Sequence, residues 1–300
     1  MLPFLIAALV AWLTGLWVSK PLASACRLLG WEDPPGETLA GDHKGHAQPV
    51  PFGGAFYVLP LLALFAQPGY GPWLWAGQMV LLVGLAEDFL KARRREIPWW
   101  LRLSVLAAAS LCLLAYEPLF VEGAPGAAAV VLVGLATISF NWMDHADGLA
   151  TACGLGPSLA MAIYGGLEMA LPLGLLLAFW TVNLWRRQGA LLYLGDSGAQ
   201  LLGFCVVGWA ACQSPPAASK AWMPVLAASA VPLFDSIRVV VLRLRAGQAP
   251  WKPDRQRHFG HWAAARGWPR PYAPLVAILI SFALTLLAIN IAKKGALSGL

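Results

Sequence analysis

Long apolar runs alternate with short polar joins along the 300-residue chain, and few runs keep a polar stripe. Helices that are apolar on every side belong in lipid or in the core of a bundle. The pattern predicts ten spans, near 2–19, 53–66, 72–86, 99–116, 126–141, 154–167, 170–185, 199–212, 222–242 and 272–291. Gly, Pro and charged residues punctuate most joins. Two features are weakly marked. The run 53–66 is short and contains Pro60, and the sixth and seventh runs are separated only around Gly165-Gly166-Leu167-Glu168. The expected fold is all-α: a polytopic membrane bundle of about ten helices, forming one domain over 1–300.

Composition agrees. The chain is 59% hydrophobic and 12% charged, where soluble domains carry about 25% charged residues. Its mean hydropathy is +0.64. The fifteen Trp suit interfacial belts. The five Cys show no C-x-x-C spacing and read as apolar fillers. The first run lacks a cationic leader, so no cleaved signal peptide is expected.

A net charge of +6 raises nucleic acid as a partner, but its distribution answers otherwise. Ten spans gather 18 of the 21 basic residues at one side, leaving only Lys220, Lys293 and Lys294 on the other. The positive-inside rule makes the loaded side cytoplasmic, with both termini outside. All five His and 12 of the 15 acids share that side; Glu117, Glu122 and Glu168 do not. Polar chemistry gathered on one face, with nearly charge-free spans, favours an interfacial enzyme over a transporter.

Three acidic clusters stand at span ends on that face. Glu87-Asp88 closes the third run, Asp144 and Asp147 follow the fifth, and Asp196 precedes the eighth. Charges there are costly unless they meet a cation or a polar cavity. Were 141–154 helical, Asp144 and Asp147 would share a face; otherwise Asp147-Gly148 could cap the next helix. His145 reads as a solvated loop imidazole. Glu87 and Asp88 sit where the helix dipole disfavours acids, while Lys91 to Arg95 read as a basic stop signal. Asp196 lies among small residues, where a ligand can approach and a hard cation such as Mg²⁺ suits a carboxylate; its plain alternative is a helix N-cap.

Two loops complete the set. Lys44 and His46 precede Gly53-Gly54, whose amides at a helix start favour an anion. Asp254, His258 and His261 would share one helical face, a spacing that admits zinc. Arg255 and Arg257 instead suit a phosphate. The plain alternative for that loop is a basic segment meeting anionic lipid, which leaves the histidines unexplained.

These residues resemble a family, the bacterial polyprenyl-phosphate N-acetylhexosamine-1-phosphate transferases. Its members include enzymes that start O-antigen, enterobacterial common antigen and teichoic-acid linkage synthesis. The resemblance covers nearly the whole chain. It rests on five motifs in order: Asp33-Pro with Lys44, His46 and Gly53-Gly54; the pair 87–88; Asn141, Asp144, Asp147 and Gly148; Gly195-Asp196-Ser197-Gly198; and Pro253-Asp254-Arg255-Gln256 leading to the histidines. Four departures stand out: Glu87 where Asp is usual, His145 where Gly is usual, Gly260 where a third His is common, and Arg257, which looks inserted.

The resemblance implies transfer of a sugar 1-phosphate from a UDP-N-acetylated sugar to polyprenyl phosphate, with release of UMP, at the bacterial plasma membrane. It implies Mg²⁺, with Mn²⁺ as the alternative, held by Asp196. Asp88, Asp144, Asp147, His258 and His261 are the catalytic candidates. Lys44, His46, Glu87, Asn141, Asp254 and Arg255 are the substrate-binding ones. Expected partners are the two substrates and membrane lipids, not nucleic acid, with a homodimer left open. The alternatives are the peptidoglycan phospho-N-acetylmuramoyl-pentapeptide transferase and a non-catalytic binding relative.

Overall fold

The computed structural model describes residues 1–35, 48–116, 124–185, 189–212, 222–249 and 257–297. A helix stands at each predicted run: α1 (Leu2–Leu28), α2 (Ala55–Ala63), α3 (Gly71–Lys91), α4 (Trp99–Tyr116), α5 (Ala124–Met143), α6 (Leu149–Gly165), α7 (Ala170–Leu184), α8 (Gly195–Cys212), α9 (Trp222–Arg245) and, after the short α10 (Phe259–Ala265), α11 (Tyr272–Leu297). Among the described residues, five runs are long and apolar enough to cross a membrane. They are Leu2–Leu28, Gly71–Lys91, Leu149–Leu184, Trp222–Arg245 and Tyr272–Lys294, with shorter apolar helices at Ala55–Ala66, Trp99–Leu113 and Val131–Met143. The run Leu149–Leu184 is α6 and α7, folded back on itself: Asn183, near the end of α7, bonds Gly148 at the start of α6. The molecule is a helical, polytopic membrane protein.

α8 is the axis of the bundle. It is buried almost throughout and packs against α2, α3, α5, α6 and α9. Small residues make this close approach possible: a Cβ on Gly203 would stand 2.8 Å from Phe140 Cβ, and one on Gly154 2.8 Å from Leu202. α1 lies along α7, and α6 along α11. Gly15 faces Ala178, and Trp12 Nε1 donates to Thr181 Oγ1 at 3.3 Å. All five cysteines are free.

Several helices run past their predicted limits, and at two of them the reason bears on chemistry. α3 continues through Glu87 and Asp88 to Lys91, and α8 begins at Gly195 rather than near 199. The acids are buried inside the bundle with partners, so they do not end the helix. A two-stranded ribbon flanks this end, pairing β1 (Glu32–Asp33) antiparallel with β2 (Val50–Pro51). Phe52 then bridges to Tyr193 in the loop before α8.

Candidate active site

The last turns of α3 meet the first turn of α8. A helix N-terminus leaves amides without partners and favours negative charge. Asp88 supplies it from 108 residues away: Asp196 N donates to its Oδ1 at 2.7 Å. Ser197 N donates to Oδ2 at 3.1 Å, joined by the Ser197 hydroxyl. Asp88 is thus a tertiary helix cap, wholly buried. Gly195 makes it possible, with φ of +74° and a would-be Cβ only 2.7 Å from Asp88 Oδ2. The predicted N-cap role of Asp196 belongs to Asp88 instead, which leaves the Asp196 side chain to pair with Lys91 at 3.3 Å. Lys91 also lies in the field of Asp33, Asp88 and Asp144, with the Phe52 ring 5.8 Å away.

Glu87 turns inward. One carboxylate oxygen accepts from Arg102 Nε of α4 and the other from Gln200 Nε2 of α8. The expected substrate contact is a tie between three helices, which explains why the longer Glu serves here.

The segment after α5 is a turn, so Asp144 and Asp147 do not share a helical face. Gly148, at φ +73°, redirects the chain into α6. Its carbonyl accepts from Trp180 Nε1 at 3.2 Å, and its N–H donates to Asn183, whose Nδ2 donates to Leu192 O at 2.9 Å. Asp147 pairs with Arg270, ahead of α11. The Asp144 residue is exposed at the bundle end. The protein mass behind it raises its carboxyl above the usual range; Lys91 opposes this, and Asp196, Asp88 and Asp147 reinforce it. Asn141 Nδ2 is buried without a hydrogen-bond partner among the described residues.

The histidines form a third group. His258 is the residue before α10, and its Nδ1 lies 2.8 Å from Asp235 Oδ2. Asp235 Oδ1 accepts from Phe259 N at 2.9 Å and from Arg238 at 3.0 Å. Arg243 Nη2 lies 3.4 Å from His258 Nε2. The expected solvated loop imidazole, His145, is instead packed among the others, with ring centroids 4.7 Å from His258 and 4.6 Å from His261. Burial, with His258 and His261 next to it, holds its pKa down to about 3. His145 escaped solvent because its Nδ1 folds back onto Trp142 O at 2.8 Å.

The structure therefore gathers Glu87, Asp88, Asn141, Asp144, Asp147, Asp196, His258 and His261 at one end of the bundle. Lys44, His46, Asp254 and Arg255 lie outside the described residues. Gly53 and Gly54 donate to Tyr193 O at 3.2 and 3.0 Å, so their amides are not open to an anion. The residues that sequence reasoning passed over are Lys91, Arg102, Asn183, Gln200, Asp235, Arg243 and Arg270. Asp235 carried a signal: a lone carboxylate inside the run 222–242 marks function by default. Lys91 was absorbed into the basic stop signal.

Hard oxygen donors at Asp196 and Asp144 suit Mg²⁺, which is held by one or two carboxylates together with water and substrate phosphates. No three His, Cys, Asp or Glu side chains among the described residues form a protein cage for an ion, as that mode of binding requires none.

Residues 72–214, which run from α3 to the end of α8, match the family model described as glycosyl transferase family 4. That segment resembles glycosyl transferase family 4. It carries Asp88, Asp196 and His145, whereas Asp235, His258 and His261 lie beyond it. The chain is 31% identical over 248 residues to a protein of Streptomyces coelicolor named as a glycosyltransferase, covering 76% of this chain and 57% of that one. It is 31% identical over 163 residues to the undecaprenyl-phosphate alpha-N-acetylglucosaminyl 1-phosphate transferase of Yersinia pestis, covering 50% and 43%. The Escherichia coli K12 enzyme of that name is 25% identical over 262 residues, covering 79% and 66%. The chain thus spans less than two thirds of the length of each of these relatives.

Proposed function

We propose that this protein transfers an N-acetylhexosamine 1-phosphate from a UDP-sugar to polyprenyl phosphate, releasing UMP. The observation that carries the reading is the convergence at one bundle end of Asp144, Asp147 and Asp196 with Lys91, His258 and His261, in a chain similar to transferases of that name. An oxygen of the lipid phosphate attacks the sugar-bearing phosphorus, and the bond from that phosphorus to the UMP oxygen breaks. The second pKa of a phosphate monoester is about 6, so the nucleophile is already mostly dianionic at pH 7. Asp88, with its oxygens engaged by α8, acts as an orienter of Asp196 rather than as a base.

The harder problem is bringing a dianion up to a pyrophosphate. Lys91, His258, His261 and Arg255 answer it from the protein. Asn141, with a donor to spare, and Asp147 position the uridine side. Asp196, with Asp144, would hold Mg²⁺, whose charge would offset that of the phosphates when bound. The basic end faces the cytoplasm, all ten long helices span the plasma membrane, and both termini lie outside.

The test is UMP release from UDP-N-acetylglucosamine by the purified chain, with and without undecaprenyl phosphate and Mg²⁺. Release that needs both is the expected result. Failure with this donor and with other UDP-N-acetylated sugars, the muramoyl-pentapeptide donor included, would refute the reaction class.

A further inference from the structure

Gly260 lies in the first turn of α10, between the two histidines. A Cβ there would stand 2.7 Å from Ala146 Cβ, 2.9 Å from His145 Nε2 and 3.1 Å from Leu149 Cδ2. The two nearest of these are not loose ends of flexible side chains. Ala146 Cβ is fixed to its backbone, and the His145 ring is held by its bond to Trp142 O at 2.8 Å. That bond places the proton on Nδ1. Nε2, buried and without a hydrogen-bond partner among the described residues, is pressed against the glycine.

α10 has seven residues, too few to hold a helix on its own. What it leans on must therefore set where its side chains point. Asp235 fixes one end, through His258 and Phe259 N. Another support is the turn that carries Asp144 and Asp147.

We propose that His145 is a positioning residue. Its ring seats in the notch left by Gly260 and fixes His258 and His261 relative to that acidic turn. A ring against a bare Cα is a stiff joint, because neither surface can rotate away. The joint links a loop that carries carboxylates to one that carries imidazoles, 115 positions further on in the sequence. Its catalytic consequence rests on the reaction proposed above; its geometry does not.

The experiment is a double-mutant cycle on the full chain in detergent, with Gly260→Ala and His145→Ala made singly and together. Two readouts are taken: kcat and KM for UMP release, and deuterium exchange of the amides of 257–268. Gly260→Ala should lower kcat about tenfold or more, with a smaller change in KM, since small misplacements of reacting groups cost rate steeply. It should also speed exchange across α10. In the His145→Ala background the same methyl should change either readout by less than about twofold, the signature of coupled sites. A methyl with equal cost in both backgrounds overturns the joint. Should Gly260→Ala alone fail to fold, recovery of the double variant supports it. Should both fail, His145→Ala decides: unchanged exchange across α10 overturns the proposal. A wild-type chain that releases no UMP would sink the reaction while leaving exchange to judge the joint.

Discussion

The acidic group at α3 and α8 and the histidine group at α9 and α10 are built by opposite means. The first is rigid because its residues belong to long buried helices. Asp88 meets backbone amides, and Glu87 meets Arg102 and Gln200, all within a packed core. The second is assembled from loops. His145 sits in a turn, His258 just ahead of a helix of seven residues, and Asp147 reaches an arginine outside any helix. Charges next to lipid are held where packing is firmest. The histidines are mounted on loops and a short helix, where side-chain contacts hold them. The difference teaches that the same end of one bundle can hold a floor fixed by helix packing and a wall fixed by contacts between loops.

Substitutions sharpen or break this contrast. The largest effect is expected at Asp196→Asn, which should lower UMP release by on the order of 10²–10³-fold or more while the protein still inserts and folds. Substantial residual turnover would remove Asp196 from the centre of the floor. Asp88→Ala should cost both rate and stability, because it strips the cap from α8. About 1–3 kcal/mol is the scale for leaving buried donors unsatisfied, read as a lower unfolding temperature in detergent. Glu87→Ala should destabilise to a similar or smaller extent, since Arg102 is partly exposed and water can take over its hydrogen bonds. Its KM for the UDP-sugar should hardly move; a large KM change would put Glu87 back among the substrate contacts.

On the wall the exposed ion pair contributes little stability. Arg270→Ala removes a half-exposed pair with Asp147, worth about 0–1 kcal/mol. An unfolding shift as large as that of Asp88→Ala would erase the contrast. The last effect concerns pH. His145 titrates near 3 in the folded protein against an ordinary value of 6.5. The unfolded chain therefore binds that proton first, and stability falls as pH drops from 6.5 toward 3. His145→Ala should flatten that slope in unfolding scans between pH 7 and 5.

Much of this was legible in the sequence, for a physical reason. Lipid demands long apolar runs, and the ten predicted runs each hold a helix. Acids at run ends were conspicuous because such surroundings rarely contain them. What stayed hidden was direction. The sequence shows that Glu87 and Asp88 are neighbours, but not that one faces Gln200 and the other the amides of Asp196 and Ser197, over 100 positions away. The departures at His145 and Gly260 looked unrelated, yet in space the imidazole of the one fills the room a side chain on the other would need. Lys91 was hidden differently, by standing just ahead of three arginines that already had an ordinary explanation.

The packing of α1 against α7 carries a consequence for biogenesis. Trp12 and its partner Thr181 are 169 residues apart in synthesis. At 5–20 residues per second, the ribosome delivers the second about 10–30 s after the first. In that interval α1 must wait in the bilayer with its small-residue seam, Gly15 included, facing lipid. Lipid gives no hydrophobic drive to close the gap, so docking relies on close backbone approach and the late Trp12–Thr181 bond. Bulk added along that seam should act on assembly, leaving inserted chains whose first helix never finds its place.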